Sequence, residues 1–277
     1  MATAPVRVGS VTIGGGTLAV IAGPCVIESR DAALAHAERL RVMADAAGVG
    51  LVYKSSFDKA NRTSLGSFRG AGLDEGLAIL GEVRRETGLP VLTDVHETAQ
   101  VEAVAAVVDV LQTPAFLCRQ TDFILAVARA GKVVNLKKGQ FLSPAEMHQV
   151  VEKARSTGNE RLLVTERGFA FGYHDLVSDM RAIPILAETG CPVVYDATHS
   201  VQRPGGQGTA SGGDREFVAP LACAAVAAGA DAVFMEVHED PSRALSDGAT
   251  SLPLAEVPAL LARLVRVAAA VQGGTNG

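Results

Sequence analysis

The sequence predicts an α/β fold in which eight parallel β-strands, each followed by a helix, close into a (β/α)8 barrel. Eight short runs rich in valine, isoleucine and leucine recur along the 277 residues. The segments between them have the spacing of apolar residues that is typical of amphipathic helices. The runs are apolar at successive positions, as in parallel strands buried on both faces. A doubly wound open sheet usually has fewer strands, so the closed barrel is favoured.

The repeating units can be followed in order along the chain. The leading segment VRVGSVTIGGG predicts an N-terminal β-hairpin within residues 1–17 that closes the bottom of the barrel. The strands are predicted at residues 18–22, 50–53, 90–93, 108–111, 133–136, 162–165, 193–195 and 232–235. The helices are predicted at residues 31–47, 73–87, 97–107, 121–130, 144–156, 174–188, 214–229 and 253–271. Ser143 ahead of Pro144 is a suitable helix start. The prediction is one domain over residues 1–277, since only the Gly-rich stretch 204–213 interrupts the pattern.

Composition and charge limit the function classes. Hydrophobic residues make up 48% of the chain, charged residues 20% and aromatic residues 4%, which is typical of a globular protein rather than a disordered one. A net charge of −5 argues against nucleic acid and anionic lipid as partners. Since the sequence lacks a secretory-signal pattern, an uninterrupted apolar span and closely spaced cysteines, we expect a cytoplasmic protein that does not enter the membrane.

Polar residues follow the predicted strands in almost every repeat. The loops at the carboxyl ends of barrel strands build the active sites of such proteins, so this placement favours an enzyme. The residues are Cys25, Lys54, Asp94, His96, Gln112, Lys137, Lys138, Glu166, Arg167, Asp196, His199, Glu236 and His238.

A cationic set is expected to converge on the mouth of the barrel. Arginine binds anions through paired contacts and lysine acts as a point charge, so the set could hold a phosphate and a carboxylate together. The alternative is that these are solvated surface charges. The residues are Lys54, Lys59, Arg62, Lys137, Lys138 and Arg167.

A second set could bind a divalent metal ion. Cys25, His199, Glu236 and Asp247 combine a thiolate, an imidazole and two carboxylates. Such a mixture is compatible with zinc, iron, manganese or cobalt, and the sequence does not choose among them. The alternative for Cys25 is a small packing residue.

The remaining acids and bases could relay protons or orient water at the barrel mouth, and the alternative for Asp94 and Asp196 is that they fix loops or pair with the cations. They are Asp94, His96, Glu166, Asp196 and His238. The Gly-rich stretch 204–213 matches neither a P-loop nor a dinucleotide-binding fingerprint. It is expected to form a flexible flap over the site, with a plain long connection as the alternative.

Taken in order, these blocks resemble the 3-deoxy-D-manno-octulosonate 8-phosphate synthases along nearly the whole chain. The similarity is clearest in AGPCVIES (22–29), YKSSFDKANRTS (53–64), TDVHE (93–97), QTPAFLCRQTD (112–122), NLKKGQFLSP (135–144), TERGFAFGY (165–173), DATHSVQRPGG (196–206) and EVHEDPSRALSDG (236–248). The resemblance implies a homotetrameric (β/α)8 barrel. It also implies a transferase that condenses phosphoenolpyruvate with D-arabinose 5-phosphate and releases phosphate, in lipopolysaccharide precursor synthesis.

The resemblance also implies roles for particular residues. It assigns Lys54, Lys59, Lys137 and Arg167 to phosphoenolpyruvate and Asn61, Arg62 and Thr63 to the sugar phosphate, with Thr63 standing where serine is common. It places Arg119 at a neighbouring subunit's site, and Gln112 and Gln202 are further expected substrate contacts. The resemblance implies two branches of the family, a metal-dependent one with cysteine at the position of Cys25 and a metal-independent one with asparagine there. This chain resembles the metal-dependent branch, with His199, Glu236 and Asp247 as the other ligands. The expected catalytic set is Lys54, Lys59, Asp94, His96, Lys137, Arg167, His199 and Asp247.

Three other functions stay open at this point. A heptulosonate synthase would use erythrose 4-phosphate, but its K-P-R-T-like loop differs from the segment 59–64 of this chain. A metal-dependent hydrolase or retro-aldolase would turn over a single substrate. A non-catalytic sugar-phosphate-binding barrel would bind without turnover.

Overall fold

The computed structural model of the protein describes residues 3–62, 64–205 and 212–273. Its strands, in chain order, are β1 (Val6–Val8), β2 (Val11–Ile13), β3 (Ala19–Gly23), β4 (Gly50–Lys54), β5 (Val91–Asp94), β6 (Val110–Thr113), β7 (Val133–Lys137), β8 (Leu162–Glu166), β9 (Phe169–Phe171), β10 (Asp175–Val177), β11 (Val193–Asp196), β12 (Gln202–Arg203), β13 (Gly212–Gly213), β14 (Ala232–His238) and β15 (Leu252–Pro253).

The predicted (β/α)8 TIM barrel is confirmed. Eight parallel strands are paired in the order β11, β8, β7, β6, β5, β4, β3, β14, and β14 pairs in turn with β11, which closes the sheet. The helices around it are α1 (Arg30–Ala47), α2 (Leu73–Thr87), α3 (Val101–Val107), α4 (Thr121–Arg129), α5 (Met147–Arg155), α6 (Ala182–Ala187), α7 (Val218–Ala227) and α8 (Val257–Gly273).

Helix boundaries follow local chemistry. In α1 the Ser29 side chain accepts a hydrogen bond from the backbone of Ala32 at the start, and Gly48 ends the helix with a positive φ of 69°. The start expected at Ser143 is also confirmed, because Ser143 and Glu146 form a reciprocal capping box. The first turn after it is a 3-10 turn, Pro144–Glu146, that leads into α5.

One predicted helix is wrong over much of its length. Residues 174–181 were expected to begin a helix, yet Asp175–Val177 form β10, which pairs antiparallel with β9. Gly172 lies between them with a φ of 65°, so the chain can reverse and form a hairpin. The helical spacing of apolar residues in this segment is satisfied only from Ala182, where α6 begins.

The predicted N-terminal hairpin is also confirmed, as β1 paired with β2. Its apolar side chains Val6, Val8, Val11 and Ile13 form one buried cluster with side chains from the barrel interior. A second, larger apolar cluster lies between the strands and the surrounding helices. The prediction of a single domain over residues 1–277 stays a prediction. Among the residues that the structure describes, none of the helices has both the length and the apolar character needed to cross a bilayer.

Candidate active site

The inward-facing side chains of the barrel change from apolar to polar toward the carboxyl ends of the strands. Because strand side chains alternate with a period of two, a residue two positions after an inward-facing one faces inward again. Thus Val52 is followed by Lys54 on β4, and Leu92 by Asp94 on β5. The same step leads on the other strands to Gln112, Asn135, Thr165, Asp196 and Glu236.

Each barrel strand runs at least one residue further than predicted, so several polar residues expected in loops are the last residues of strands. Each of these residues pairs with a neighbouring barrel strand, and the backbone hydrogen bonds of that pairing hold it more firmly than a loop would. The residues are Lys54, Asp94, Lys137, Glu166 and Asp196.

A cavity of about 640 Å³ opens at this end of the barrel and contains most of the expected substrate-binding residues. Thr63 lies outside the described residues, as do residues 206–211 of the expected flap. Arg119 is exposed and does not line the cavity of its own chain. The expected residues that do line it are Lys54, Lys59, Asn61, Arg62, Asp94, His96, Gln112, Lys137, Arg167, His199, Gln202 and Asp247.

Glu236 lies at the centre of one buried charge cluster. Its Oε1 is 2.7 Å from Lys54 Nζ and 3.5 Å from Lys59 Nζ. Lys54 is 1% exposed and Glu236 fully buried, so neither charge is screened by water. Burial alone would raise the pKa of the Glu236 carboxyl, but the two lysines hold it well below its ordinary value. Glu236 is therefore a carboxylate, not a proton donor.

Asp196 organises a second cluster. Its Oδ2 is 2.6 Å from Lys137 Nζ and 2.8 Å from His199 Nδ1, and its Oδ1 accepts a hydrogen bond from the His199 backbone. Burial would raise the pKa of Asp196, but His199 and Lys137 lower it strongly. The contact at Nδ1 turns His199 Nε2 toward Glu236 Oε1 at 3.7 Å and Asp247 Oδ2 at 3.9 Å.

Three of the four expected metal ligands come together directly. The candidate ligand atoms of Cys25, Glu236 and Asp247 all lie within 4.8 Å of one another. Cys25 Sγ lies 2.9 Å from Ser246 Oγ and 3.2 Å from Asp247 Oδ2. Burial, and then Asp247 and Glu236, raise the pKa of the Cys25 thiol.

These residues fit a divalent metal ion. Glu236 Oε2 is buried and has no hydrogen-bond partner among the described residues, so it is available as a ligand. Asp247 has a φ of 48°, and no other non-glycine residue of the described chain has a positive φ. Such strain is found where a side chain must be aimed at a functional site. With His199 Nε2 facing the same point, the donors are those that zinc, iron, manganese and cobalt accept.

The side chain of Arg167 is placed to bind an anion in the cavity. Its side chain is buried, one NH2 donates to Gln202 Oε1 at 3.1 Å, and its Nε and NH1 have no partner among the described residues. Burial lowers the pKa of Arg167, and Asp196 opposes the shift. An unpaired buried guanidinium is costly unless a ligand completes it.

Lys138 was wrongly expected in the cationic set. It follows Lys137 and therefore lies on the opposite face of the strand, where its ammonium donates to the backbone oxygens of Gly139, Leu142 and Gly168. It lies 3.5 Å from Glu166, whose Oε1 accepts from the Gly168 backbone. Both side chains therefore hold loops in place, and neither lines the cavity.

Asp94 and His96, two further acid–base candidates, both line the cavity. Asp94 is held by Ser56 and Gln112, and although burial would raise its pKa, Lys54 and Lys59 lower it. His96 lines the cavity with a buried Nδ1 that has no partner among the described residues, and burial lowers its pKa.

His238 does not line the cavity; its Nε2 lies 3.3 Å from Glu28 Oε2. The other oxygen of Glu28 accepts from the Leu245 backbone, two residues before Asp247. Asn61 and Arg62 lie on a neighbouring loop, where Arg62 donates to the backbone oxygens of Phe68 and Leu245.

Sequence reasoning missed Ser56, Asn135, Thr165 and Ser246. Asn135 and Thr165 lie inside the strands rather than at their ends, so a search of the residues after each strand passes over them. The period of two on β7 would have found Asn135, because it shares a face with Lys137. Ser246 carries no local signal, since only the fold brings it to Cys25.

Comparisons with known proteins agree with this geometry. The profile of the DAHP synthetase I family matches residues 3–272. Three curated relatives each bear the name 2-dehydro-3-deoxyphosphooctonate aldolase. The protein from Trichlorobacter lovleyi is 59% identical over 98% of this chain and 100% of its own length. Those from Syntrophobacter fumaroxidans and Methylococcus capsulatus are 62% and 64% identical, over 92% and 88% of this chain and 89% and 86% of their own lengths.

Proposed function

The chain belongs to the DAHP synthetase I family, and we propose that it is a transferase that condenses phosphoenolpyruvate with D-arabinose 5-phosphate. The products are 3-deoxy-D-manno-octulosonate 8-phosphate, a lipopolysaccharide precursor, and inorganic phosphate. The relatives that carry the octulosonate aldolase name match nearly the whole chain at 56–64% identity. The observation that carries the proposal is a cavity lined by Lys54, Lys59, Lys137 and Arg167, whose guanidinium has two nitrogens without a partner among the described residues.

Phosphoenolpyruvate binds at these four cations. It carries a phosphate and a carboxylate. The Nε and Nη1 of Arg167, which have no partner among the described residues, can donate to one anionic group in parallel. Lys137 stands beside Asp196 and 4.4 Å from the centre of the Phe234 ring, so its ammonium is held in place before the substrate arrives.

The sugar phosphate lies further out. Asn61 and Arg62 line the cavity and are the less buried of its proposed sugar-phosphate contacts. Thr63, outside the described residues, belongs to the same proposed phosphate site. Gln202 and Gln112 are buried and line the same cavity, and they are further proposed contacts of the sugar.

In the reaction carbon 3 of phosphoenolpyruvate attacks the aldehyde carbon, and water adds at carbon 2. The bond between carbon 2 and the phosphate oxygen then breaks, phosphate leaves, and the aldehyde oxygen gains a proton. Two anions repel each other in water, so cations that hold both in attack geometry account for several kcal/mol of the barrier. His96 is the proposed proton-transfer group, because its lowered pKa keeps it neutral and its buried Nδ1 is free.

Cys25, His199, Glu236 and Asp247 are the proposed ligands of a divalent zinc, iron, manganese or cobalt ion. When bound, such an ion would orient the aldehyde and polarise its oxygen. Asp196 holds the His199 ring in the orientation that this requires. Because the resembling enzymes with asparagine in place of the cysteine work without a metal, orientation is the favoured role.

A homotetramer in the cytoplasm completes the proposal, with Arg119 reaching a neighbouring subunit's cavity. Phe116, Phe141, Phe169, Phe171 and Tyr173 are exposed aromatic side chains, and such surface is typical of protein contacts. All four cysteines are free, as is usual in a reducing compartment.

A coupled assay of phosphate release tests the reaction. With phosphoenolpyruvate present, turnover should require D-arabinose 5-phosphate, and Arg167→Met should abolish it while an exposed control, Arg41→Met, leaves it unchanged. Faster turnover with erythrose 4-phosphate would make the protein a heptulosonate synthase. Turnover of one substrate alone would favour a hydrolase or retro-aldolase.

Elemental analysis and chelation test the metal. We expect about one divalent ion per chain and loss of activity on chelation, with Cys25→Asn active in the absence of metal. A protein without a stoichiometric ion and insensitive to chelator would contradict the metal site. A folded but inactive Cys25→Asn protein would show that orientation is too weak a role.

A further inference from the structure

A continuous chain of side-chain hydrogen bonds crosses the barrel interior from β8 to β5. Thr165 Oγ1 donates to Asn135 Oδ1 at 2.6 Å, and Asn135 Nδ2 donates to Gln112 Oε1 at 2.8 Å. Gln112 Nε2 then donates to Asp94 Oδ1 at 2.6 Å, and Ser56 donates to the other oxygen of Asp94. All five side chains are buried.

Every donor in this chain points toward Asp94. An ionised carboxylate can only accept, so the amide nitrogen of Gln112 must face Asp94 and its oxygen must face Asn135. The oxygen of Gln112 in turn requires the amide nitrogen of Asn135, whose own oxygen accepts from the Thr165 hydroxyl. The charge on Asp94 and the orientation of the two amides are therefore one coupled arrangement.

Asp94 and Gln112 line the cavity, and Asn135 does not. The groups that face Asp94 are Lys54, Lys59, His96 and Lys137. Its negative charge lies among the ammonium groups that are proposed to hold phosphoenolpyruvate. A rotation of the Gln112 amide would place its oxygen against the carboxylate and force the two apart. The ammonium groups would then shift with the Asp94 carboxylate.

We propose that Asn135 is a positioning residue: it fixes the Gln112 amide so that Asp94 stays ionised and centred among the lysines of the cavity. The inference deepens the proposed function and rests on it for the turnover measurements. Asn135 acts through Gln112 and makes no contact with substrate. Misplacing a group by about 1 Å can cost about a hundredfold in rate even when the change lies away from the reacting atoms.

The main test compares Asn135→Leu with the control Thr165→Val. Asn135→Leu removes the donor to Gln112 and keeps the branching at Cγ with a larger side chain, and we expect kcat to fall by about tenfold to a hundredfold. The dissociation constant of phosphoenolpyruvate, measured by calorimetry, should rise by a smaller factor than kcat falls, because the cations remain and only their positions shift. Thr165→Val removes only the hydrogen bond that is furthest from Asp94 and should leave kcat within about threefold of the parent value.

A second variant, Asn135→Asp, keeps the shape, and its carboxylate cannot donate to Gln112 when it is ionised. Gln112 then lies between two carboxyl groups, so we expect the acid limb of the kcat/KM pH profile to move to higher pH, since Asp94 takes up a proton more readily. The limb should not move in Thr165→Val. A purely structural role would lower the melting temperature without moving this limb.

Three results would overturn the inference. The first is a folded Asn135→Leu protein with kcat within threefold of the parent, and the second is an unmoved acid limb in Asn135→Asp. The third is a loss in Thr165→Val equal to that in Asn135→Leu, which would indicate general damage to packing. If the unaltered protein releases no phosphate, the proposed function fails instead. The pH dependence of unfolding in Asn135→Leu, which adds no titratable group, still reports the coupling to Asp94, and an unchanged acid unfolding midpoint would then overturn it.

Discussion

The lower and upper halves of the barrel interior are built from the same faces of the same strands but by opposite chemistry. In the lower half, side chains such as Val52, Leu92 and Leu163 pack with the N-terminal hairpin into a closed apolar cluster. In the upper half, two residues further along, Lys54, Asp94 and Thr165 replace them with charges and hydrogen-bonding groups. The lower half packs its own side chains together, whereas in the upper half buried atoms of Arg167 and Glu236 have no partner within the part of the chain that the structure describes.

The difference separates what stabilises the protein from what makes it act. Apolar burial contributes about 25 cal/mol per Å² without any directional requirement. Buried charges cost several kcal/mol each to desolvate, and paired charges recover this only with good geometry. The upper half therefore keeps groups that stability alone would not select, and their unpaired atoms are available to anionic substrates and a metal ion.

The largest expected effect is at Lys54. Lys54→Met removes a cation from the proposed phosphoenolpyruvate site and leaves Glu236 with the more distant contacts of Lys59 and His199. We expect a loss of at least about 10³ in kcat/KM, and a fall of about 3–5 kcal/mol in the free energy of unfolding. Steady-state kinetics and urea unfolding measure the two. Wild-type turnover by the variant would contradict the assignment of the upper half.

Leu163→Ala, in the lower half, should lower stability and leave the activity nearly unchanged. The side chain is fully buried in the cluster with the hairpin, so its truncation should cost about 2–5 kcal/mol of stability through lost burial and a cavity. Below the unfolding temperature, kcat/KM should stay within about threefold, because Leu163 lies one layer below the cavity. A selective loss of turnover in the folded variant would show that the two halves are coupled.

Acid should destabilise the upper half through Asp94. Its lowered pKa means that it contributes stability above the unfolded pKa of about 4, and that this contribution is lost as the pH falls toward the folded value. The free energy of unfolding should therefore drop between pH 5 and pH 2 in both proteins. The drop should be about 2 kcal/mol smaller in Asp94→Asn than in the parent. Equal slopes would mean that the lysines do not hold Asp94 ionised.

The smallest effect is expected at Asp231, an aspartate at the lower end of the barrel that serves as the control for Asp94. It accepts from Thr3 and from the Val193 backbone, and burial raises its pKa. Asparagine can keep both contacts, so Asp231→Asn should change stability by no more than about 1 kcal/mol. Its kcat/KM should equal that of the parent. A change as large as that in Asp94→Asn would remove the contrast between the two ends.

Several parts of the site were predictable because neighbouring residues carry the signal. The apolar runs located all eight barrel strands, and the polar residues after them located Lys54, Lys137 and Arg167. The separation of Lys137 from Lys138 was also within reach, since adjacent strand residues face opposite sides. Residues 174–181 were not, because the apolar spacing there suits a helix while the turn at Gly172 permits a hairpin.

Local sequence patterns account for the repeated strand and helix units, the apolar lower layer and the types of polar group at the strand ends. These depend on residues only a few positions apart. The tertiary structure alone decided which groups meet. Cys25 and Asp247 are 222 positions apart and lie at 3.2 Å because β3 pairs with β14 when the barrel closes. Such a contact is set by closure of the whole sheet, and local patterns in the chain carry no record of it.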